Sequence, residues 1–259
     1  MPATTRWTRH QMLVALNLYC QMPFGKMHHR NPDIVRWSEL IGRSPSALAM
    51  KLTNFASLDP AITSTGRKGL ANVSTSDQAL WHEMHNDWER FTVEADDAIN
   101  SLGGASIVEA NFDLADMPDE AVDYGASDKT AQTKIRVGQN FFRRAVLSAY
   151  DDRCCISGLA VPSLLIASHI VPWRIDKKNR LNPRNGLCLS ALHDRCFDVG
   201  IITVTEDLTV RVSRQFANIE DRFFKAALSA YDGQPILLPD KFQPDAEFLE
   251  YHRQRVFQG

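Results

Sequence analysis

The 259 residues suffice for one large domain or two modest ones, and 44% apolar with 23% charged residues excludes a disordered or fibrous chain. The net charge of −2 hides two basic blocks around an acidic one, so near-neutrality does not exclude a polyanionic partner. Residues 1–58 carry seven Lys/Arg against two acids, 128–200 twelve against six, and 77–125 one against thirteen.

In chain order, Thr8 caps a first helix with Met12, Ala15, Leu16 and Tyr19 at helical spacing, which stops near Pro23 and Gly25. A second helix runs from Pro32 to Gly42, and Ser44 caps a third with Pro45 at its first position. Leu48, Leu52 and Phe55 form the buried stripe of that third helix. Helix, short glycine turn, helix is a helix-turn-helix-like pattern, whose second helix is expected to expose Ser46, Ala47, Ala49, Lys51 and Asn54 to a DNA groove; an ordinary helical hairpin is the competing reading. One further helix over Asp77–Phe91 completes a helical module spanning residues 1–91, with His82 and His85 as structural histidines among tryptophans. Residues 92–130, acidic and carrying Gly103-Gly104, read as a linker.

A second domain covers residues 131–259. It opens with an amphipathic helix over Thr133–Tyr150, with Phe142, Val146 and Tyr150 on its core side and Arg136 and Arg143 on a basic side. Next come a strand at Leu164–Ser168, a polar loop at Asp176–Asn185, a strand at Leu187–Leu189 and a helix from Ala191. A hairpin (Gly200–Val204, Leu208–Val212) and helices at Ile219–Tyr231 and Asp245–Phe257 finish an α+β chain. No apolar run approaches the roughly 20 residues that span a bilayer. The opening MPATTRWTRH lacks the apolar core of a secretion signal, so a cytoplasmic protein without membrane contact is expected.

The stretch from Ser168 to Asp198 concentrates His169, Asn185 and His193 among turn-forming and apolar residues. A phosphodiester resists hydrolysis because its charge repels nucleophiles and its leaving alkoxide is poor, so cutting it needs an activated water and a cation. His169, at a strand end, suits the general base, since imidazole is largely neutral at pH 7. A divalent metal suits the second need, with His193 reaching back from the following helix to hold it. Asn185, before Gly186, can fix the loop through backbone hydrogen bonds. Arg174, Lys177, Lys178, Arg180 and Arg184 crowd the loop and can neutralise DNA phosphates, with Arg136, Arg143 and Arg144 extending the surface. Trp173 is expected to pack beneath this loop. The cysteines at 20, 154, 155, 188 and 196 lack C-x-x-C pairs, so reduced, buried thiols are preferred over a structural zinc on Cys155, Cys188 and Cys196.

The order SHIVPW, NPRNGL, LHDRCFDVG, preceded by RVGQNFFRRAVLSAYDDRCCISG, resembles the HNH endonuclease family and its ββα-metal fold, over about a quarter of the chain, Arg136–Gly200. The resemblance, which extends to bacterial HNH proteins predicted to be restriction endonucleases, implies His169 as general base, Asn185 as orienting residue and His193 as metal ligand. It also implies 5′-phosphate and 3′-hydroxyl products. Where many members carry an acidic or histidine ligand before the base, this chain has Ser168; either Ser168 acts on the metal through a water or another residue supplies the oxygen, with Asp198, ahead of Asp194, as the candidate. Mg²⁺ or Mn²⁺ suits oxygen ligands, and His193 leaves Ni²⁺ or Zn²⁺ open. The implied activity is metal-dependent cleavage of double-stranded DNA in defence against foreign DNA, with a two-fold homodimer as the simplest way to cut both strands. The alternatives are a nicking or homing-type enzyme of mobile DNA, and a non-catalytic DNA-binding regulator on a degenerate HNH fold.

Overall fold

The computed structural model describes residues 6–64, 66, 73–103 and 129–259, in two units that divide between Phe141 and Phe142. In the first unit, α1 (Arg9–Gln21) starts at a capping box in which Thr8 and Gln11 satisfy each other's backbone N–H groups. Leu13, Val14, Ala15, Leu16, Leu18, Tyr19 and Cys20 are all buried, so α1 is apolar on nearly every side and forms the axis of the unit. Around it pack α3 (Pro45–Ala56), α5 (Thr75–Asn86) and α6 (Trp88–Ser101), with α2 (Pro32–Leu40) against α3 and a short α4 (Pro60–Thr63).

Three expectations for this unit are corrected. The helix read over Asp77–Phe91 is two helices, because Asp87 leaves helical geometry and its carboxylate caps the Arg90 N–H of a new one. That new helix continues to Ser101 with Thr92, Ala95, Ala98 and Ile99 buried, so residues 92–101 belong to the packed unit; the rest of the expected linker, 104–128, lies outside the described residues. Lys51 does not face a groove. It is buried, its ammonium 2.7 and 2.9 Å from the two carboxylate oxygens of Asp77 and 4.8 Å above the Trp7 ring. Ala49 is buried with it, and Met50 takes the outward position. His82 is exposed, while His85 bonds the Trp81 carbonyl and lies between Trp81 and Trp88.

The helix α7 (Lys129–Ala149) spans the division, and its last eight residues begin the second unit. There β1 (Leu165–His169) and β2 (Gly186–Ser190) form an antiparallel hairpin that pairs Leu165 with Ser190 at one end and His169 with Gly186 at the other. Ser190 then caps α8 (Ala191–Asp198), which packs on both strands. A second hairpin, β3 (Ile202–Val204) and β4 (Val210–Val212), is followed by α9 (Arg222–Ala227) and α10 (Ala246–Arg255). His252 of α10 ties these parts together: its ring stacks on Phe197 at 3.6 Å, Nε2–H donates to the Phe197 carbonyl, and Nδ1 accepts from Thr203 Oγ1. Gly186 lets α7 close on the hairpin, since a Cβ there would overlap Val146 and lie 2.9 Å from Phe142 Cζ. All five cysteines are buried and free, and no helix among the described residues is long and apolar enough to cross a membrane.

Candidate active site

Phe142 and His169 meet because Gly186, opposite His169 in the hairpin, offers no side chain on the face that α7 covers. The imidazole lies flat on the Phe142 ring, centroids 3.9 Å apart and planes 8° apart, with the Trp173 ring nearly perpendicular to it at a centroid distance of 5.5 Å. Its Nε2–H donates to the Arg180 carbonyl at 3.0 Å. That bond fixes the tautomer, leaving Nδ1 with an unshared pair. Burial holds the pKa down to about 4, against the smaller opposing effect of the Arg180 carbonyl, so the ring is neutral at pH 7.

Asn185 is fully buried and behaves as a double-sided clamp. Its Oδ1 accepts from the Val171 N–H at 2.8 Å, its Nδ2 donates to the Val171 carbonyl at 3.1 Å and the Asn179 carbonyl at 3.4 Å, and its own carbonyl accepts from Ile170 N–H. The residues directly after the candidate base are thereby held from the far side of the loop.

His193 does not join this group. It follows Ser190, at the opposite end of the hairpin from His169, and both ring nitrogens are engaged: Nδ1 with Ser190 Oγ at 3.0 Å and Cys154 Sγ at 3.3 Å, Nε2 with the Ala227 carbonyl at 2.9 Å. Burial opposes its charged form, but the Cys154 and Ala227 contacts outweigh burial and raise its pKa. For Cys154, burial likewise works upward and is outweighed, chiefly by His193, so the thiol falls to about 6. His193 thus joins α8 to α9 and to the Cys154 turn. Among the described residues no three His, Cys, Asp or Glu side chains gather as a metal site.

The oxygen donors fare differently. Ser168 Oγ is buried without a hydrogen-bond partner, and Asp194, half-buried, and Asp198, exposed, lie four residues apart on α8. By their chemistry a hydroxyl and carboxylates are oxygen donors of the kind a hard cation takes.

The basic residues separate into two groups. Arg174, Lys177 and Lys178 are exposed on the loop, and Arg136 is exposed on α7. The others serve the fold: Arg143 donates to the Leu165 carbonyl at 2.8 Å, Arg180 stacks on Trp173 at 5.0 Å, and Arg184 pairs with Asp245 at 3.0 Å. Trp173 is buried beneath the loop as expected. Sequence reasoning missed the Arg180 carbonyl, because any residue supplies one. It placed Phe142 on the core side of its helix without seeing that the ring would be the platform for His169.

No curated protein matches the chain. Residues 154–205 match the family model described as HNH endonuclease, a span that contains β1, the loop, β2 and α8. Over that segment, which holds His169, Asn185 and His193, the chain is similar to the HNH endonuclease family.

Proposed function

We propose that the protein is a metal-dependent endonuclease of double-stranded DNA in which His169 is the general base, serving restriction of foreign DNA. The observation that carries the reading is the fixed tautomer of His169: with Nε2–H committed to the Arg180 carbonyl, Nδ1 is the basic nitrogen, and a ring flat on Phe142 cannot swing away from it. A water bonded to Nδ1 gives up its proton as its oxygen attacks phosphorus, and the bond to the leaving 3′ oxygen breaks. Asn185 keeps the backbone after the base in register. A divalent ion, when bound, neutralises phosphate charge, and Ser168, Asp194 and Asp198 are the residues that would hold it. Arg174, Lys177 and Lys178, exposed on the loop, would contact backbone phosphates without reading sequence. In the first unit the α2–α3 hairpin, with Ser46 outward, is the candidate for a second DNA contact.

The test is cleavage of supercoiled plasmid with Mg²⁺ or Mn²⁺. His169→Ala should abolish cutting and keep DNA binding, whereas cutting at the wild-type rate would reject the base. Linear product argues for paired cuts, and accumulating open circle argues for the nicking alternative. A second reading, a DNA-binding protein on a non-catalytic nuclease fold, is favoured by the engagement of both His193 nitrogens in the core. Plasmid binding without cleavage by the wild-type protein in any divalent ion would select it.

A further inference from the structure

Two consecutive carbonyls of the loop between β1 and β2 each hold one side chain of the motif. The Asn179 carbonyl accepts from Asn185 Nδ2, and the Arg180 carbonyl accepts from His169 Nε2–H. Both residues lie in turns, outside any strand or helix, so no regular ladder aims these carbonyls. Asp176 closes the turn that carries them. Its Oδ1 accepts from the backbone N–H of Lys178 and of Asn179, both at 3.1 Å, and its Oδ2 accepts from Asn179 Nδ2 at 2.6 Å. One carboxylate thus closes the turn on three donors, and the Asn179 carbonyl, so oriented, also receives Asn182 N–H.

We propose that Asp176 is a positioning residue for the reaction, acting on His169 through the turn that presents the Arg180 carbonyl. This rests on the reading of His169 as the base. No hydrogen bond joins Asp176 to His169 or Asn185 among the described residues; it acts on where the two carbonyls that hold them stand. Its flanking lysines are exposed, so the alternative role is to balance their charge. The two roles separate by geometry. A glutamate keeps the charge but is one methylene too long to close the same turn, while an asparagine loses the charge but keeps an acceptor for both backbone N–H groups.

The experiment measures plasmid cleavage by the full chain in Mg²⁺ or Mn²⁺, with ¹⁵N spectra of its histidine rings as the independent readout. The His169 signals are assigned by their loss in His169→Ala. Asp176→Ala is expected to lower kcat by about 10- to 100-fold, the cost of a misplaced catalytic group, with KM for plasmid changed by no more than about twofold. The His169 ring should then leave its single Nε2–H signature for a mixture of tautomers. Asp176→Glu should follow Ala, and Asp176→Asn should recover most of kcat. Wild-type kcat in Asp176→Glu, a rise in KM alone, or unchanged His169 ring signals would each overturn the proposal. If Asp176→Ala does not fold, the Glu and Asn pair still decides it. Normal cutting by His169→Ala would reject the base but leave the ring signals to judge the turn.

Discussion

A histidine in water is half protonated near pH 6.5, and an imidazolium cannot take a proton from water. His169, held down to about 4 by burial, keeps its lone pair well below that point. Because kcat/KM reports the free enzyme, its acid limb should fall as pH drops through about 4. A limb centred near 6.5 would show that His169 is hydrated, or is not the titrating base. His252 offers the matching stability experiment, since burial lowers its pKa to about 4 as well. Between pH 6.5 and 4 the unfolded chain takes up a proton that the folded one refuses. Stability is therefore full above 6.5 and declines until about 4, by about 3 kcal/mol for this residue. His252→Gln should flatten that part of a plot of urea midpoint against pH, whatever its effect on the midpoint at neutral pH.

At the level of elements, the chain announces what depends on local chemistry. Thr8 and Ser44 cap the helices they were read to cap, the two strands appear within a residue or two of their expected ends, and Asp245 caps the last helix. What stayed hidden depends on partners distant in sequence. Lys51 carries no local sign that Asp77 will bury it, and His193 none that Cys154 and Ala227 will occupy its nitrogens. The place of His169 at a strand end was legible, because an apolar run followed by turn residues marks where a strand stops. Its anchor was not, because a carbonyl has no residue identity. The Lys51–Asp77 pair carries its own prediction. Asp77→Ala leaves an ammonium stranded in the core between α3 and α5 and should cost about 3–5 kcal/mol in urea unfolding, while replacing both by Met and Leu should restore most of the loss. An Asp77→Ala protein of wild-type stability would mean that the lysine escapes to solvent.

For the molecule as a whole, a net charge of −2 predicts little attraction to DNA if charge acts in bulk. If binding is local, the number of cations that reach phosphates decides it, because each neutralised phosphate releases condensed counterions into the salt. Of the nine basic residues read as DNA contacts, Lys51 is buried against Asp77, Arg143, Arg180 and Arg184 are engaged within the fold, and Arg144 is half-buried. Arg174, Lys177 and Lys178 remain exposed together on the loop that anchors His169. Replacing these three with alanine should therefore reduce the slope of log affinity against log salt by about 2.7, at about 0.9 per contact on duplex DNA. The loss should be the same on every sequence, since phosphates are alike, and cleavage at saturating plasmid should persist because the turn closed by Asp176 uses backbone N–H groups that alanine retains. A slope that does not move would place the phosphate contacts elsewhere on the protein, with the exposed Arg136 of α7 the next to test.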